Sequence, residues 1–76
     1  MNKERRAKID GAMALLAQAR ALLSEVQEGE QEALEALSER AQEGERGQRM
    51  DEVAGGLAEK IDELEGIEGE LEGFKE

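Results

Sequence analysis

The sequence predicts an all-α protein: an antiparallel helical hairpin or three-helix arrangement with heptad, coiled-coil-like packing, assembled into an oligomeric bundle. Three observations carry that expectation. Apolar residues recur every seven positions in two long stretches, the two ends of the chain have opposite charge, and large apolar residues are scarce. Leaving out Met1, the 76 residues include only 17 of Leu, Ile, Val, Met and Phe. A chain this short buries a smaller share of its surface than a larger domain does, so a closed monomeric core looks too thin and self-association is expected.

The first predicted helix covers about residues 3–28. Ile9, Leu16 and Leu23 recur every seven positions, and Ala12, Ala19 and Val26 form a second series offset by three, an a/d pattern. Met13, Leu15 and Leu22 widen this stripe beyond a two-helix seam, which implies more than one neighbour. Asn2 is placed to cap the start and Gly29 to stop the end. A short middle helix follows at about 30–42, on the weaker stripe Ala33, Leu34, Leu37 and Ala41. Only Gly29 stands against its fusion with the first helix, at a cost of about 1 kcal/mol. Gly44 and Gly47 mark a turn at 44–47.

The last predicted helix covers about 48–75. Met50, Leu57, Leu64 and Leu71 hold one heptad position and Val53, Ile67 and Phe74 the other, with Ile61 replacing Lys60 in the second series. The expected shared core is therefore Ile9, Leu16, Leu23, Val26, Met50, Leu57, Ile61, Leu64, Ile67, Leu71 and Phe74. Gly66, Gly69 and Gly73 line one side of this helix, either as a groove for another helix or as solvated positions.

Charge orients these elements. The net charge is -10, yet the first eight residues carry four basic groups and one acid, and the acids concentrate in the last third. Antiparallel packing sets these ends side by side, and parallel packing stacks like charges. The pattern leaves open whether the antiparallel pairing closes within one chain or between chains.

Composition also limits the chemistry. Without Cys or His there is no disulfide, no Cys/His zinc site, no imidazole base and no thiol nucleophile. Glu28, Glu32, Glu35 and Glu39 follow helical spacing, but carboxylate-bridged metal bundles pair Glu with His, so these read as solvated acids. An acidic body with a single aromatic ring, Phe74, argues against general nucleic-acid binding. No stretch is apolar enough to span a membrane, and the Ala/Leu stretch after Lys8 is too short for a signal sequence. The expected location is cytoplasmic, with no catalytic residue, no metal and no cofactor.

The remaining candidates are arginines. Arg46 and Arg49, beside Glu45, lie at the start of the last helix, where free N–H groups and the helix dipole favour anions. Arg5 and Arg6 would complete a cluster if the N-terminus came near. These five residues are the candidate anion- or partner-binding set.

Glu4-Arg5-Arg6, the Leu/Ala heptad helix, the run from Glu32-Ala33 to Gln42, Glu45-Arg46-Gly47 and Met50 before a second acidic heptad helix resemble a group of short acidic helical proteins encoded in bacteriophages and prophages. Ser38 stands where that pattern has a Pro, which leaves a helix free to run through this point. The resemblance implies a small accessory protein in the cytoplasm of an infected or lysogenic bacterium, acting by binding. Three functions are expected of it: a homo-oligomer that inhibits or modulates a host protein, a sponge for an anionic small molecule such as a nucleotide signal, or a structural coiled-coil element.

Overall fold

The computed structural model describes all 76 residues and contains three helices and no strand: α1 (Lys3–Glu35), α2 (Glu39–Glu43) and α3 (Glu45–Phe74). Only residues 1–2, 36–38, 44 and 75–76 lie outside them. The molecule is a rod of 58 × 15 × 12 Å. Its radius of gyration, 17.3 Å, compares with about 11 Å for a compact domain of this length.

Asn2 caps α1 with its side-chain oxygen, which accepts from the Arg5 N–H at 2.8 Å. The helix then runs through Gly29, where a stop was expected. Gly29 is exposed with open space around it, and the penalty of about 1 kcal/mol is met because the inward spacing continues beyond it to Leu34, which is buried. The break falls instead at Ala36–Ser38. Ser38 adopts an extended conformation and its hydroxyl accepts from the Ala41 N–H at 3.2 Å. Here Ser38 ends the possibility of a continuous helix by capping the next one. The middle helix is therefore only Glu39–Glu43, not 30–42.

The second turn is a single residue, Gly44, with φ -75° and ψ 174°. No residue has a positive φ, so the glycines of this corner are not there for left-handed backbone. Gly47, expected in a turn, lies in the first turn of α3 and is buried. A Cβ placed on it would come within 2.6 Å of the Gln42 backbone. Two glutamines secure this corner. Gln42 Nε2 donates to the Leu37 carbonyl and Gln48 Nε2 to the Glu43 carbonyl, each at 3.0 Å.

α1 and α3 lie side by side in opposite directions, since Asp10 meets Lys75 while Arg20 meets Glu65 and Glu68. Their facing residues are spaced by three and four, with one gap of seven in α1. From α1 come Ile9, Met13, Leu16, Arg20, Leu23, Gln27 and Leu34; from α3 come Met50, Ala54, Leu57, Ile61, Leu64, Glu68 and Leu71, with Lys75 at its C-cap. Most are half-buried, and only Leu34 and Ala54 form a buried apolar core. The series carried by Ile9 and by Met50 are those the heptads predict. The second series differ: Met13, Arg20, Gln27 and Leu34 face α3, while Ala12, Ala19 and Val26 face out; Ala54, Ile61, Glu68 and Lys75 face α1, while Ile67 and Phe74 face out.

Candidate functional site

Two charged members of the α1–α3 seam, Arg20 and Glu68, stand at the same height and pair across it. Arg20 Nε donates to Glu68 Oε2 at 2.8 Å, with its two terminal nitrogens reaching Glu68 Oε1 at 3.3 Å and Glu65 Oε1 at 3.2 Å. The Arg20 and Glu68 side chains retain 31% and 15% of their exposure. Planar guanidinium–carboxylate geometry of this kind is the strong form of an ion pair. The hydrogen bond to Glu68 raises the Arg20 pKa above its ordinary value; desolvation opposes it, and attraction to Glu68 and Glu65 adds to it.

At the far end, Lys75 Nζ reaches Asp10 at 2.6 Å and Glu72 at 2.9 Å. Its hydrogen bond to Asp10, then that to Glu72, raises its pKa. Half-burying an unpaired charge costs more than half-burying a paired one.

The other charged surface is the outward side of α3. Between Asp51 and Glu76 the exposed residues are acids and glycines, apart from Lys60, Ile67 and Phe74. Lys60 is itself occupied by Glu63 at 3.2 Å. Gly55, Gly56, Gly66, Gly69 and Gly73 have open space where a Cβ would stand. The result is an acidic ridge with little side-chain bulk between its carboxylates.

The arginine candidates are exposed: Arg5, Arg6, Glu45, Arg46 and Arg49 all face water. Arg49 pairs with Glu52 at 3.3 Å, both side chains remaining about 70% exposed. Arg5 and Arg6 occupy the first turns of α1 and Arg46 and Arg49 the first turns of α3. Because the two helices run oppositely, most of the length of α1, about 45 Å at 1.5 Å per residue, separates the pairs. One chain does not assemble the four-arginine cluster. The row Glu28, Glu32, Glu35, Glu39 is likewise interrupted by the break at 36–38. No group of carboxylates is arranged to hold a metal ion, the surface has no pocket, and no helix is long and apolar enough to cross a membrane.

Arg20, Glu68 and Lys75 were missed as positioning residues because they interrupt the apolar series, and Asp10 because it lies beside it. The signal was present: charged interruptions of opposite sign stand at matching heights once the helices are laid antiparallel. Among known proteins, no family model, no curated protein and no solved structure matches this chain.

Proposed function

We propose that the protein is a non-enzymatic accessory protein of the phage or prophage kind, acting in the bacterial cytoplasm as a homo-oligomer of antiparallel helical hairpins with heptad packing. It binds a basic surface of a host protein through the acidic ridge of α3 and so inhibits or modulates it. The observation that supports this most directly is the ridge itself: the exposed surface of α3 from Asp51 onward carries one cation, Lys60, already paired with Glu63. Such a field speeds association with a positive surface and selects against negative ones.

The test is affinity capture from host lysate with wild-type protein and with a Glu59→Lys/Asp62→Lys variant. Capture of a basic protein, weakened by raising salt from 50 to 500 mM and lost in the variant, is the expected result. Capture unaffected by both changes would remove the ridge from the mechanism.

A further inference from the structure

The α1–α3 seam takes the leading heptad series of both helices and fills its second row with Arg20, Gln27, Glu68 and Lys75 among apolar residues, while another set of apolar side chains stays in water. Leu15, Leu22, Val26, Ile67 and Phe74 are 66%, 63%, 53%, 44% and 63% exposed. They share one side of the molecule. In an antiparallel pair, the positions immediately preceding the seam on both helices flank the same face, and these are Ala12, Ala19 and Val26 on α1 and Ile67 and Phe74 on α3. Leu15 and Leu22 extend the α1 part outward. From Ala12 to Val26 this stripe of α1 contains no charged residue, whereas the corresponding stripe of α3 is interrupted by Lys60, Glu63 and Glu70.

We infer that this face is covered by a second copy of the chain, α1 against α1 in opposite directions, about a two-fold axis near Ala19. The inference presupposes the homo-oligomer proposed above and assigns its interface. Area argues for a copy: a compact chain of 8.3 kDa exposes about 4,600 Å², whereas this one exposes 5745 Å². The difference is larger than the roughly 800 Å² each partner contributes to a standard interface. A two-fold axis makes the patch complementary to itself, with Ala19 opposite Ala19 and Leu15 beside Leu22 of the other copy.

Charge argues for the direction. Arg5 and Arg6 make no ion pair within the chain, and Lys8 reaches only Glu4, at 3.8 Å on an exposed turn. Antiparallel copies bring Arg5 and Lys8 level with Glu28 and Glu32 of the other copy; parallel copies would stack the basic ends. The Arg20–Glu68 pair also sets Ile67 at the height of Ala19, so the same axis brings the two Ile67 side chains together.

Light scattering at 100 μM decides the matter. Wild type is expected at twice the chain mass, L15E/L22E at the chain mass with its helical circular dichroism retained, and A14E/A21E, on another exposed face of α1, still at twice. Wild type at the chain mass would overturn both this inference and the homo-oligomer. An oligomer unchanged by L15E/L22E would overturn only this face. For the direction, R5E/K8E is expected to weaken the dimer at least tenfold and added E28K/E32K to restore it; a dimer strengthened by R5E/K8E would overturn the antiparallel arrangement.

Discussion

Gly47→Ala tests whether the corner between α2 and α3 is set by close backbone approach. An added methyl at this buried position meets the carbonyl carbon and Cα of Gln42 at 2.6 Å, well inside contact distance. Gln42 is tied down: its N–H bonds to the Ser38 carbonyl at 2.9 Å and its side chain to the Leu37 carbonyl at 3.0 Å. The neighbour is backbone and cannot rotate aside, which places the substitution near the upper end of the roughly 1–3 kcal/mol typical of overpacking. Ala contributes about 1 kcal/mol in return by its helix preference. A net loss of about 2 kcal/mol remains, which for a chain of this size lowers Tm by about 8–16 °C. Gly55→Ala is the matched control, because it lies in the same helix with nothing near its Cβ position. It is expected to raise Tm by about 4–8 °C for its full kilocalorie. Thermal melts followed by circular dichroism at one protein concentration read both values. A Gly47→Ala protein as stable as wild type would refute the close approach, and with it the reason given for the glycine.

Two further outcomes follow from the seam. Arg20→Glu is expected to lower Tm, and Arg20→Glu/Glu68→Arg to recover most of the loss; equal melts for the single and double variants would show that the pair does not set the register. Hydrogen bonds to Asp10 and Glu72 raise the Lys75 pKa, so the folded state holds that proton more tightly than the unfolded chain. The stabilisation is fully present below the unfolded lysine value of about 10.4 and is lost as pH rises through the folded value. Melts between pH 8 and 12 are expected to converge for wild type and Lys75→Met at the alkaline end; parallel curves would contradict the linkage.

The sequence made the all-helical class and the leading heptad series legible, because Ile9, Leu16 and Leu23, like Met50, Leu57, Leu64 and Leu71, leave no competing period. Boundaries were less legible. Gly29 looked like a stop because helix propensity is local, whereas the reason the helix continues is Leu34, whose burial depends on a partner helix distant in sequence. Ser38 looked permissive because, unlike a proline, it can sit inside a helix, yet a serine hydroxyl caps a helix as readily as it sits in one. The second heptad series lies outside the seam within one chain for a similar reason: hydrophobicity ranks Ala19 above Arg20, and the height of Glu68 on the other helix favours Arg20. Of the candidate arginines, spacing showed Arg46 and Arg49 together at a helix start, but their separation from Arg5 and Arg6 by most of the length of α1 is a property of the antiparallel path.

The division of labour between faces has a physical logic. Charged pairs in a half-exposed seam add little net stability, but they penalise any register or direction that separates them, so they orient α1 against α3. With direction set by charge, a second group of apolar residues, Leu15, Leu22, Val26, Ile67 and Phe74, is left on a separate side of the rod. The acidic ridge of α3 points away from α1, roughly at right angles to that apolar side. A second copy on the apolar face therefore leaves both ridges in water, and the oligomer presents two acidic surfaces where the single chain presents one. Self-association and partner binding then do not compete for surface, and L15E/L22E is expected to leave the contact made by each ridge intact while removing the gain from bivalency.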